Sequence, residues 1–297
     1  MFNITNSLVN KYLGERSRQQ WLDLAGDWVD ETAAPFIHEF DGFTIWDDSI
    51  TGVGTKGRWG NLLVSTIEQE ELVYVQPRVG WAGISLAWLA KKYGKKLTLF
   101  MPASKSASAH QLVCIERGAS PVFVRIAAMP VLNKYAKDYA NDRGACFIPF
   151  GLDHELVVAA GIKATMQQWG DREPPEAVST VISTGVLTRT LQIVWPNARF
   201  YGVAVARNLH DGEIGNASVI SYHKRFLDDA QYANDYRHLI DSAKNYDLKG
   251  IEYATRDRIQ GLPRAASTLL WNVAGEVHPE NIVPGDVDSQ REWGERR

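Results

Sequence analysis

The chain has little cysteine, no long apolar run and no charge of one dominant sign, and each lack removes a class of function. Two cysteines in 297 residues, Cys114 and Cys146, cannot form a disulfide scaffold, and they lack the spacing of a metal knuckle. No segment approaches the roughly 18 consecutive apolar residues of a membrane helix, and residues 1–12 have no apolar stretch of signal-peptide length. The expectation is a cytoplasmic protein with no membrane partner and no bound metal. Lysine and arginine number 32 against 35 acidic residues, a net charge of −3. No longer lysine- or arginine-rich run accompanies Lys91-Lys92 and Lys95-Lys96, which flank a turn, so no electrostatic footprint for nucleic acid exists.

What is present is an alternation of short apolar strands with helical segments from Phe43 to about Val205. A hydrophobic share of 45% over this length suffices for one large core or two lobes. The alternation predicts an α/β fold with mostly parallel, twisted sheets flanked by helices. The first forty residues read as an amphipathic lead-in carrying Trp21, Leu22, Leu24, Trp28 and Val29. The last ninety are more polar and aromatic, and the charged tail after Pro284 reads as mobile or held by a partner.

One turn stands out chemically. Gly52-Val53-Gly54-Thr55-Lys56-Gly57-Arg58 follows the strand Phe43-Thr44-Ile45-Trp46 and leads into a helix with Leu62, Leu63 and Ile67 at helical spacing. A lysine in the first turn faces the positive end of the helix dipole, which favours its neutral amine and hence Schiff-base chemistry. The plain alternative is a surface lysine in a glycine-rich loop. Next come the strand Leu72-Val73-Tyr74-Val75, the link Gln76-Pro77-Arg78-Val79, an alanine-rich helical segment from Gly80-Trp81 to Gly94, and the strand Leu97–Pro102. Further on, Cys114–Val124 reads as helix end, turn and strand. Val178–Ile182 is a strand entering Ser183-Thr184-Gly185-Val186-Leu187-Thr188 and a helix through Thr190, Leu191, Ile193 and Val194. A small-residue turn at a helix N-terminus presents free N–H groups to an anion; an ordinary capped strand-to-helix turn is the alternative.

These segments, in this order and spacing, resemble the fold type II pyridoxal-phosphate enzymes. The nearest branch is that of aminocyclopropane-carboxylate deaminase and D-cysteine desulfhydrase, and the resemblance covers about residues 40 to 205. It implies pyridoxal 5′-phosphate as cofactor, with Lys56 binding its aldehyde and Ser183, Thr184, Gly185, Val186, Leu187 and Thr188 forming the phosphate loop. It further implies a homodimer, an amino-acid-type substrate, and a small lobe of residues 61–151 inserted into a large cofactor-binding lobe of 1–60 and 152–297. Lys56 and the 183–188 turn are expected to meet in one cleft. Two departures stand out. The phosphate turn has one glycine where many members carry three or four. Trp81 aligns with an asparagine that in many members bonds the ring's phenolic oxygen; indole offers one N–H and a large apolar face, so Trp81 is expected to stack near the ring or mark a rebuilt site.

Arg78 is a candidate for a substrate carboxylate or else a surface arginine. Ser267, Thr268 and Asn272 are candidates for the pyridine nitrogen's partner, without a choice among them, and Lys249 reads as a surface lysine. The resemblance implies lyase-like chemistry: elimination, deamination, β-replacement or decarboxylation at the α-carbon. Two other readings compete. Phe43–Gly52 resembles the phosphoribosyltransferase signature, with Asp47-Asp48 as the pair that would hold ribose hydroxyls, and Trp81 with the sparse glycines would suit a catalytically altered scaffold that acts as a binding or assembly subunit.

Overall fold

A computed structural model describes residues 11–125, 128–206, 209 and 212–282. In chain order the elements begin with α1 (Arg18–Ala25), β1 (Phe36–Phe40), β2 (Phe43–Asp47), α2 (Gly54–Thr66), β3 (Glu71–Val75), α3 (Ala82–Lys92) and β4 (Lys96–Pro102). There follow α4 (Ala109–Glu116), β5 (Ser120–Val124), α5 (Met129–Arg143), β6 (Cys146–Phe147), α6 (Glu155–Trp169), β7 (Ala177–Ile182) and α7 (Val186–Val194). The chain closes with β8 (Arg199–Ala204), β9 (Ser218–Ser221), α8 (Ala233–Tyr236), α9 (Asp247–Thr255) and β10 (Thr268–Asn272). The expected tail after Pro284 lies outside the described residues. No helix among the described residues is long and apolar enough to cross a membrane, and none of their acidic, histidine and cysteine side chains group as metal ligands.

The chain forms two compact units, residues 1–52 with 158–276 and residues 53–157 with 277–297. The first contains a six-stranded sheet in the order β1-β2-β10-β7-β8-β9, parallel except for the β1–β2 hairpin. β7 is buried at all six positions and β10 at all five, which is why both read as unbroken apolar runs rather than alternating ones. Its core gathers Ile45, Val181, Val203, Leu248, Ile251 and Leu270. Trp46 stacks on Trp271 from the neighbouring strand, with ring centroids 4.2 Å apart and planes at 14°, a pairing that adds about 0.5–1.5 kcal/mol beyond area burial. The lead-in helix is α1, capped by a reciprocal Ser17–Gln20 box and anchored by the fully buried Trp21; Val29 is not on it and is exposed.

The second unit holds a four-stranded parallel sheet, β5-β4-β3-β6. Val73, Val75, Phe100, Val124 and Leu132 form the core against α5. α2 and α3 pack closely because α2 carries glycine where they touch. A Cβ at Gly57 would overlap Val53, and one at Gly60 would strike Leu152 and crowd Leu89 of α3. Cys114 is buried on α4, and burial raises its thiol pKa; Cys146 is half-buried at the head of β6.

Candidate functional site

Open α/β sheets bind ligands beyond the carboxyl ends of their strands, and each unit places candidate residues at that edge. In the second unit, Lys56 is the third residue of α2, inside the helix rather than ahead of it. Its half-buried amine donates to the Gly151 carbonyl oxygen at 2.7 Å, and the Gly151 N–H donates to the Tyr74 hydroxyl at 3.4 Å. Gly151 lies in a 3-10 turn just after β6 with φ +76°, so the loop holds its carbonyl at a fixed place and the carbonyl orients the amine.

The turn after β3 is braced from within. Gln76, fully buried, accepts from the Gly83 N–H at 2.9 Å and donates to the Gly80 carbonyl oxygen at 2.9 Å. Trp81 sits at the N-cap of α3, half-buried, with no side-chain cap. Arg78 is partly committed: its Nη1 donates to the Ser104 hydroxyl and to the Ser106 carbonyl oxygen, while the Ser108 hydroxyl donates back to the Arg78 carbonyl. It is therefore no bare surface arginine, and it braces the loop after β4.

In the first unit, the turn between β7 and α7 has Gly185 at the N-cap with φ +71° and no side-chain cap. The first-turn N–H groups of Val186, Leu187 and Thr188 have no acceptor among the described residues, as an anion-binding helix start requires. Ser183 and Thr184 are half-buried. Thr188 is fully buried, and its hydroxyl pairs with that of Thr180 at 2.8 Å, so it offers the turn its amide. A Cβ at Gly185 would overlap the Glu213 carbonyl oxygen, which accepts a hydrogen bond from the buried Arg189 guanidinium; that guanidinium also reaches the Thr184 carbonyl at 3.3 Å.

The same edge carries a residue that the sequence reading passed over. Asp247, the first residue of α9, is 1% exposed and neither carboxyl oxygen has a hydrogen-bond partner. The Val273 and Ala274 amides approach it without completing one. Burial raises its pKa well above the carboxylate range, and Asp47 and Asp48 push in the same direction. Its signal was the Tyr-Asp pair opening an apolar helix late in the chain, which looks like an ordinary acidic first turn.

Asn272 ends β10 beside it. Its Nδ2 donates to Asp47 Oδ1 and to the Asp241 carbonyl oxygen, both at 2.8 Å, and its own Oδ1 is buried without a partner. Ser267 and Thr268 stand at the opposite, amino end of β10, where Thr268 donates to the Pro263 carbonyl oxygen. That placement removes both from the candidates for a ring-nitrogen partner. Lys249 is likewise not a surface lysine: it is fully buried, donates to the Arg225 and Phe226 carbonyl oxygens at 2.9 and 3.2 Å, and burial lowers its pKa to about 8.

The acidic pair of the phosphoribosyltransferase reading is buried rather than presented. Asp48 is 0% exposed, and Asp47 accepts from the Ser49 N–H as well as from Asn272. The segment that follows is a 3-10 turn, Ser49–Thr51, and not an open phosphate loop.

The donor set suits pyridoxal phosphate. In the second unit an oriented primary amine could take an aldehyde; in the first, a helix start with unclaimed N–H groups could take a phosphate and the buried Asp247 carboxyl a ring nitrogen. No protein-family model matches the chain, and no curated protein sequence does. Solved structures do. A homologue of ACC deaminase superposes with TM-score 0.69 at 16% identity, covering 86% of this chain and 94% of its own. The processed form of threonine deaminase isoform 2 from Solanum lycopersicum gives 0.66 at 12% identity over 87% and 84%. A pyridoxal 5′-phosphate-dependent aspartate racemase gives 0.63 at 14% identity over 90% and 97%. The chain thus has the fold of these enzymes, the fold type II architecture.

Proposed function

We propose that this protein is a pyridoxal-phosphate-dependent enzyme that acts on an amino acid or amino-acid conjugate at its α-carbon, by elimination, deamination, β-replacement or decarboxylation. The observation that carries the reading is the Lys56 amine, placed at the start of α2 and held by the Gly151 carbonyl at 2.7 Å. When bound, the cofactor supplies an electrophilic aldehyde and an electron-accepting ring.

The chain's own residues do the rest. Lys56 would hold the cofactor through its amine and would serve as the base that removes the substrate's α-proton. The 183–188 turn holds the phosphate through its N–H groups, with the Arg189 guanidinium adding positive charge behind it. Asp247 has the chemistry to partner the pyridine nitrogen. Burial disfavours its charged form, and a protonated nitrogen beside it would stabilise that form. A carboxylate partner would support a full carbanion better than a hydroxyl would. Trp81 contributes an apolar face beside the ring, and Arg78 those guanidinium N–H groups that Ser104 and Ser106 leave for a substrate carboxylate. The resembled family's usual state, a homodimer, and a cytoplasmic setting belong to the same reading.

The test is turnover. Protein loaded with pyridoxal phosphate is assayed for keto acid, ammonia and sulfide release from D- and L-amino acids and their conjugates. Product that disappears in Lys56→Ala supports the proposal. Failure to take up the cofactor, or turnover unchanged in Lys56→Ala, contradicts it.

A further inference from the structure

A cavity in the first unit lies at the end of its sheet opposite the 183–188 turn. It measures about 720 Å³ and opens at the amino end of β8, between the C-terminal end of α7, the start of β9 and the segment leading into α1. That volume is in the range of small-molecule sites. Three arginines line it, Arg16, Arg18 and Arg199, with the polar Gln192, Asn216 and Ser218 and an apolar wall that includes Phe200. Among the described residues no acid and no lysine lines it, in a chain where acids outnumber bases.

Arg16 stacks over the Trp21 ring at 4.7 Å, and Arg18 donates to the Val194 carbonyl oxygen at 3.1 Å. Arg18 and Arg199 form no ion pair with any described residue. Guanidinium groups beside an apolar wall match an oxyanion carried on a hydrocarbon or aromatic body.

The cavity also connects to the 183–188 turn through one short segment. Gln192 donates to the Ile214 carbonyl oxygen and accepts from the Asn216 N–H, both at 2.8 Å. Gly215 between them has φ +60°, and a Cβ there would overlap Gln192 and Leu13. One residue earlier, the Glu213 carbonyl closes over Gly185 and takes the Arg189 hydrogen bond. Residues 213–216 thus touch the cavity at one end and the turn at the other, and α7 spans the same gap of roughly 13 Å.

We propose that this cavity binds a small organic oxyanion, a carboxylate or phosphate monoester with an apolar body, and that its occupancy shifts the 183–188 turn through residues 213–216. The binding stands by itself; the effect on cofactor rests on the turn being the cofactor's phosphate site. The test is calorimetric titration of the purified holoenzyme with phenyl phosphate and, separately, benzoate. At least one should bind, and the tighter one identifies the headgroup. Arg18→Gln and Arg199→Gln should each weaken binding about tenfold, and Ser218→Asp should abolish it. Arg225→Gln, at an exposed arginine paired with Asp228, should change nothing. Saturating probe should alter the apparent affinity for pyridoxal phosphate about fivefold in the wild type and not in Arg199→Gln. No binding of either probe near ~1 mM, or binding indifferent to the arginine changes, overturns the site. Arginine-dependent probe binding with unchanged cofactor affinity overturns the coupling alone. The same binding by a protein that never takes up cofactor leaves the site standing and removes the function proposed above.

Discussion

The Lys56 amine donates to the Gly151 carbonyl oxygen at 2.7 Å across 95 positions of chain. A flexible side chain costs up to about 2 kcal/mol of rotamer freedom to order, and this contact orders it before any ligand arrives. Removing the amine as Lys56→Ala is expected to lower turnover by about 10²–10⁴-fold while leaving the unfolding midpoint nearly unchanged, since the side chain is half-buried and Ala is a good helix former. Steady-state kinetics beside thermal melting separates the two effects.

Gly185 is required by conformation and by space. Its φ of +71° and the Glu213 carbonyl over its Cα both exclude a side chain. Gly185→Ala should destabilise the protein by about 1–3 kcal/mol, measured by denaturant unfolding, and weaken cofactor binding in the same variant. Gly170→Ala, with φ +62° but nothing within 4 Å of the added Cβ, is the comparison that carries the backbone cost alone.

Asp247 sets a pH dependence. Its folded-state pKa is raised by burial, so the folded chain holds a proton that the unfolded chain releases above about pH 4. Stability from this group is full below that pH and falls as pH rises toward the raised folded-state value. In cofactor-free protein, Asp247→Asn should remove that decline and be the more stable form at neutral pH. With cofactor bound, the same variant should bind it more weakly and turn over more slowly.

Lys249 acts in the opposite sense. Its pKa is lowered to about 8 by burial, so between pH 8 and 10.5 the unfolded chain binds more protons than the folded one and stability rises with pH. Lys249→Met should flatten that rise in denaturant unfolding measured across this window. A slope unchanged by the substitution would mean that the amine titrates as it does in water.

The parts of the fold legible in the sequence were those written in local pattern. β3, β4 and β7 announce themselves as apolar runs between turn residues, and the Gly185 turn follows directly from its strand. Residues brought together from far apart were not legible. Asp247 owes its character to Asp47, Asp48 and the Ala274 segment, and Lys249 to the carbonyls of Arg225 and Phe226; in one dimension both look like solvated charges. Ser267 and Thr268 failed for a related reason. They lie in the same run as Asn272, and only the direction of β10 shows which end faces the site. The arginine cavity was invisible because Arg199 lies some 180 positions from Arg16 and Arg18.

The central claim is that Lys56 carries pyridoxal phosphate, and its most direct test is the absorbance of the purified protein before and after borohydride reduction, followed by mass mapping of the modified peptide. A visible band that reduction removes, with the pyridoxyl mass on Lys56, is the result expected here. A protein that stays colourless after incubation with pyridoxal phosphate, or a label fixed to another lysine, would contradict it.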